Sequence, residues 1–224
     1  MRRFLRENSL SLVFLILFLL AFFGQSVSGW KSFNDQQAAH GGNAVSWGGY
    51  VVSPEFGSAV LENWQSEYLQ FALFIFATIW LIQKGSNESK RPEDAGLESD
   101  EQQKIGSHAP ARAPGWARAG GWRTALYANS LLIVMFVIFF ASWFGQSITS
   151  WREFNDEQRQ HGQAPVSWAG FLVNPSFWEE TLQNWQSEFL AVGSIVVFSI
   201  YLRQRGSPES KPVGSSHDDT AATG

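Results

Sequence analysis

Glu67 and Glu188 each follow an asparagine by four residues, Asn63 and Asn184, and sit beside Gln65 and Gln186 at the edge of long apolar runs. Gln25 and Gln146 occupy the matching edge of two further runs. A carboxyl group at membrane depth is costly to ionise and is usually kept for a proton or cation site, so this polar cluster is one candidate for chemistry. Residues four apart share a helix face, which pairs Asn63 with Glu67 and Asn184 with Glu188. At 1.5 Å per residue, Gln25 lies about 7 Å inward of Trp30 and Glu67 about 5 Å inward of Trp64, depths at which they can meet. The competing reading is interhelical hydrogen bonding, which contributes about 0.6 kcal/mol per bond in membrane bundles, and the shallow depth favours it.

A second set is Asn34, Gln37 and His40, with Asn155, Gln158 and His161. The spacing of three places each trio along one helix face, and each histidine falls at a helix end, where the dipole favours a cationic imidazole. Two histidines brought together with Asp35 or Asp156 would suit a metal or haem, but neither Glu-x-x-His nor His-Glu-x-x-His spacing is present. No metal and no cofactor is expected. Trp30, Trp47, Trp64, Trp151, Trp168 and Trp185 read as an aromatic belt at a membrane surface. There is no nucleophile elbow, P-loop or dinucleotide fingerprint, so no catalytic residue is assigned and an enzyme is not expected. With no cysteine in the chain, thiol redox chemistry, disulfides and thiolate metal sites are excluded.

These residues fall in two copies of one pattern. Phe23–Leu69 returns as Phe144–Leu190 at a constant offset of 121, without a gap, and 25 of the 47 positions are identical. The flanking apolar runs match far less well, at 3 of 13 positions for Leu10–Phe22 and 2 of 13 for Gln70–Ile82. The polar stretch is therefore the more constrained part. Its common residues recur at helical spacing from Trp30 to His40, which predicts a helix that runs past the membrane surface and is capped by Gly41 in the left-handed conformation. Ser53-Pro54 and Asn174-Pro175 predict the start of each return helix, expected to reach Lys84 in the first copy. Between them, Val45-Ser46-Trp47 reads as a short interfacial segment.

Four runs are long and apolar enough, with their small and amide flanks, to cross a bilayer as helices at about 9–30, 63–84, 126–151 and 184–205. Arg2, Arg3 and Arg6 before the first run resemble a cleavable leader, but the same Gly-Gln-Ser flank recurs after the third run, so the first is expected to remain in the membrane. Thirteen of the 16 basic residues lie in the N-terminal segment, the central linker and the tail, and only Lys31, Arg152 and Arg159 lie in the repeated connections. By the positive-inside rule both termini and the linker face the cytoplasm and the repeated connections face outward. The outward face is acidic, with Asp35, Glu55 and Glu62 in the first connection and Glu153, Asp156, Glu157, Glu179 and Glu180 in the second, and does not suit nucleic acid. The expected organisation is repeat 1 over 1–85, a disordered linker over 86–122, repeat 2 over 123–206 and a disordered tail over 207–224.

The string Gly-Gln-Ser, Trp, Phe-Asn-Asp-x-Gln-x-x-His-Gly, Val-Ser-Trp and Asn-Trp-Gln-Ser-Glu resembles a family of small bacterial inner-membrane proteins known only as a domain of unknown function. The resemblance covers residues 1–90 and 123–211. It implies a multi-pass protein of the bacterial cytoplasmic membrane and no activity. The fold expected is an all-α membrane protein of four transmembrane helices, two tandem hairpins related by a pseudo-two-fold axis along the membrane normal. The function expected is a non-enzymatic envelope accessory or partner-binding protein acting through its outer polar head. Its partners would be the bilayer, with an envelope protein or a second copy on that head. The alternatives are a small transporter or channel using Glu67 and Glu188, and a metal- or haem-bearing oxidoreductase.

Overall fold

A computed structural model describes residues 2–223, and among them there is helix and no strand. In chain order the helices are α1 (Arg2–Glu7), α2 (Ser9–Ala39), α3 (Trp47–Val51), α4 (Pro54–Ala77), α5 (Gly115–Ala119), α6 (Gly121–Ala128), α7 (Ser130–Gln160), α8 (Trp168–Phe171) and α9 (Pro175–Tyr201). Of these, α2 and α7 are long and apolar enough to cross a membrane. Only 6% of the apolar window of α2 and 22% of that of α7 is buried by protein, unlike the core helix of a soluble domain, which points to membrane association.

Local side-chain chemistry sets where these helices start and stop. Asn8 and Ser9 break α1 from α2 by turning back on the preceding carbonyls, Asn8 Nδ2 donating to Phe4 at 2.9 Å and Ser9 Oγ to Arg6 at 3.0 Å. Asn129 and Ser130 do the same between α6 and α7, so the third apolar helix begins at Ser130 and not at the expected 126. At its other end α2 closes on Gly41 (φ +74°), with Gly41 N–H donating to Ala38 O and Gly42 N–H to Gln37 O. This Schellman arrangement is the predicted glycine cap, and Gly162 repeats it for α7. The return helices begin on their predicted side-chain caps, Ser53 Oγ accepting from Phe56 N and Asn174 Oδ1 from Ser176 N. Helix α4 ends at Ala77, short of Lys84, in a tightened turn where the N–H groups of Ile79 and Trp80 donate three residues back to Phe76 and Ala77, and Thr78 Oγ1 donates to Phe74 and Ile75. Likewise α9 ends at Tyr201, not 205.

The chain forms two compact units, Met1–Leu61 with Gly145–Leu172 and Glu62–Phe144 with Val173–Gly224. In the first, Tyr50 and Phe56 are buried in contact with each other at 5.4 Å between ring centroids, with Phe22 and Phe33 against them. Phe171, 1% exposed, packs on Phe154 in the other half of that unit. In the second unit the indole of Trp143 is surrounded by Phe139, Phe177, Trp178 and Trp185, all within 6.3 Å.

The start of the linker and much of the tail form defined turns. Gln83 to Lys90 and Gln204 to Lys211 build the same turn after α4 and α9: the backbone N–H of Gln83 and of Gln204 donates to Ser89 Oγ and Ser210 Oγ at 2.9 Å each, and Gly85 and Gly206 adopt φ of +86° and +84°. The tail then folds over the first turn. Lys211, 1% exposed, donates from Nζ to the carbonyls of Gly85, Ser216, His217 and Asp219, and Ser86 Oγ meets Ser199 Oγ at 2.8 Å. Serines and one lysine supply the order here, through hydrogen bonds that need no large apolar core.

Candidate functional site

In the first unit, a cleft of about 580 Å³ opens where α2 and α7 end and α4 begins. Gln37 and His40 line it from α2 and its cap, Ser53, Pro54 and Glu55 from the start of α4, and Glu153, Asp156, Glu157, Arg159 and His161 from the end of α7. Four carboxylates against one guanidinium, with neutral imidazoles, leave this hollow at a formal −3. The single guanidinium is already engaged, since Arg159 donates to Asp156 one turn earlier. His40 Nδ1 lies 2.9 Å from the carbonyl of Gln36, a pure acceptor, which fixes the proton on Nδ1. The field is felt one layer down, where burial, Glu55 and then Glu153 hold the phenol of Tyr50 above its ordinary pKa. An open acidic hollow of this kind can take a cationic or hydrogen-bond-donating ligand. Among the described residues no group of three or more histidine, aspartate or glutamate side chains is arranged to hold a metal ion.

Two identical clamps tie the connecting segments to α2 and α7, the helices whose ends line the cleft. Asn34 Nδ2 donates to the carbonyl of Val45 at 3.0 Å while its Oδ1 accepts from Val45 N–H at 2.8 Å, and Asn155 makes the same pair of bonds with Val166 at 3.0 and 2.8 Å. The indoles of Trp30 and Trp151 donate to the same two carbonyls, at 2.7 and 2.8 Å. Trp47 and Trp168 donate to Ser26 and Ser147, each at 3.2 Å. These tryptophans tie the connecting segments to α2 and α7, a role that an aromatic belt alone does not describe.

The structure distributes the expected site residues unevenly. Gln37, His40 and His161 share the cleft, whereas Asn34 and Asn155 are used in the clamps and Gln158 contributes its carbonyl to the α7 cap. In the membrane-edge set, Gln25 is exposed on α2 while Gln146, its equivalent on α7, is completely buried. In the second unit Gln65 is buried and accepts from Trp185 Nε1 at 2.7 Å, and Asn184 donates to Glu62 at 2.5 Å. Asn63, Glu67 and Gln186 are exposed and Glu188 is half-buried.

Sequence reasoning missed the small-residue contact between α4 and α7. Ser58 Oγ and Ser150 Oγ lie 2.7 Å apart, both buried. Nearby, a Cβ on Gly57 would come within 2.9 Å of Thr149 and one on Gly145 within 2.8 Å of Leu61. Comparing the two copies could not reveal this, because the offset maps Ser58 onto Glu179 and Ser150 onto Gly29. The usable signal was the clustering of small residues at helical spacing, which marks close helix approach.

No characterised protein and no solved structure matches this chain. The family described as a domain of unknown function, DUF6766, matches residues 1–222, taking in the linker and most of the tail as well as the apolar helices. By that match the chain belongs to the DUF6766 family.

Proposed function

We propose that this chain is a non-enzymatic, multi-pass protein of the bacterial cytoplasmic membrane that binds a basic segment of an envelope partner in the acidic cleft. The observation that carries the reading is the cleft itself, where Gln37, His40 and His161 stand among four carboxylates with one engaged arginine. In this reading α2, α4, α7 and α9 all cross the bilayer as two tandem hairpins born of an internal duplication. Hydrogen bonds that recur 121 residues apart at the helix breaks, the clamps and the exit turns support the duplication. The termini and linker are cytoplasmic and the cleft faces outward, in keeping with the distribution of basic residues.

A photoreactive residue at Gln37 or Gln160 tests the binding role. Capture of one envelope protein, abolished by Glu153→Lys with Glu157→Lys, is the expected result; capture indifferent to that charge reversal rejects the acidic cleft as the binding surface. For orientation, a reporter enzyme active only outside the cytoplasm should work when fused after Gly42 or Gln163 and fail after Gly96 or Gly214. The competing transporter reading stands only if Glu67→Gln with Glu188→Gln abolishes proton or cation flux in liposomes.

A further inference from the structure

Below the cleft, the α4–α7 contact of the first unit is polar and deeply buried. Gln146, Ser150, Glu153 and Glu157 follow one another along α7 at intervals of four, three and four, which places them on one face. Glu55 and Ser58 are three apart on α4. Glu55, Glu153 and Glu157 line the cleft, and Ser58 and Ser150, 5% and 2% exposed, join their hydroxyls one turn further in. One turn beyond Ser150 comes Gln146, which is 0% exposed, and neither its Oε1 nor its Nε2 has a hydrogen-bond partner in the protein.

A carboxamide can accept two hydrogen bonds and donate two. Burying one with all four positions empty is costly, and a marginally stable fold does not sustain that cost without compensation. The Ser58–Ser150 bond consumes one hydroxyl proton and leaves the other, with acceptor lone pairs on both oxygens, free to serve a neighbour. Gly57 against Thr149 and Gly145 against Leu61 hold the two helices in close approach beside this polar row.

We propose that this seam is hydrated: water enters from the acidic cleft, passes the Ser58–Ser150 hydroxyl pair and binds the carboxamide of Gln146. Such a file would bring water to the level of the third apolar helix that the sequence places within the bilayer, about 6 Å beyond Ser150 at 1.5 Å per residue. The inference is independent of the partner-binding role but rests on the reading that α7 crosses a bilayer.

The absence of native cysteine makes a direct test clean. Single variants Gln146→Cys and Ser150→Cys, in full-length protein in sealed vesicles, are exposed to external silver ion, and the thiols left over are counted with a maleimide after denaturation. Phe144→Cys, on an exposed apolar position of the same helix, is the lipid-facing control, and Gln160→Cys is the water-exposed one. Because silver captures the thiolate and the thiolate needs water, the seam predicts that positions 146 and 150 react at least about tenfold faster than position 144. Equal rates at 146, 150 and 144 overturn it. A rate at 144 equal to that at 160 refutes the crossing of α7, and the seam with it. Ser150→Cys is nearly isosteric and carries the test should Gln146→Cys fail to fold. In addition, Gln146→Leu keeps the volume and removes the polar group: a raised unfolding temperature means a dry seam and rejects the proposal, and an unchanged or lowered one supports it.

Discussion

Asn155→Ala is the most informative single perturbation of the clamp that ties the Val166 segment to α7. The substitution deletes the 3.0 Å bond from Nδ2 to the carbonyl of Val166 and the 2.8 Å bond from Val166 N–H to Oδ1. The carbonyl keeps its bond from the Trp151 indole at 2.8 Å, so the loss falls on the N–H. Asn155 is only 3% exposed, and an N–H stranded at a buried position costs about 1–3 kcal/mol. Taking about 2 kcal/mol, with tenfold per 1.4 kcal/mol, the segment around Val166 should open about 30 times more often. Asn34→Ala removes bonds of the same two lengths from Val45 at a half-buried position, where water replaces part of what is lost. There the cost should be about 1 kcal/mol and the increase about fivefold. Amide hydrogen exchange at Val166 and Val45 in the two variants measures both numbers directly. Equal acceleration at the two sites would show that burial does not set the cost, and unchanged exchange at Val166 would show that the clamp does not hold the segment at all. Asn155→Asp sharpens the result, since it keeps the acceptor but turns a second oxygen toward the Val166 carbonyl; wild-type exchange in that variant refutes the two-bond account.

Gly29→Ala would place a Cβ 2.2 Å from the phenol oxygen of Tyr50, a ring held by Phe33 and Phe56, and should destabilise by about 1–3 kcal/mol, whereas Gly24→Ala meets nothing within 4 Å and should gain about 0.5–1 kcal/mol in thermal unfolding. Lys211→Met strips the ammonium from four carbonyls and should speed cleavage after Glu209 by a glutamyl-specific protease about tenfold or more, given about 1.5–3 kcal/mol for a charged hydrogen bond. The Tyr50 phenol, raised by burial and by Glu55 and Glu153, favours the neutral form in the folded state; that stability is complete below pH 10 and declines as pH rises through the elevated folded value. Absorbance titration should find the Tyr50 phenol ionising above its ordinary value, and Glu55→Gln should lower it.

The helix caps were legible in the sequence. Gly41, Ser53-Pro54 and Asn174-Pro175 each act within a few residues, so their consequences could be read in place. The clamps were half legible: Asn34 and Asn155 were picked out as shared residues on a helix face, but their partners lie 11 residues away across a turn whose path the pattern does not dictate. The exit turns were overlooked for a different reason. Similarity fades through Gln70–Ile82, where one apolar side chain readily replaces another, and resumes at the same offset in Gln83–Lys90, a stretch whose charge and serine content read as disorder. The burial of Gln146 opposite the exposure of Gln25 was invisible, because it depends on which neighbour each helix meets.

The carbonyl of Gly85 receives its ammonium from a residue 126 positions further along. On the ribosome, at about 5–20 residues per second, the first return turn therefore waits roughly 6–25 s for the lysine that completes it. A nascent chain interrupted anywhere before Lys211 carries that turn unfinished, so the first half of the chain owes its last bond to a residue made long after it.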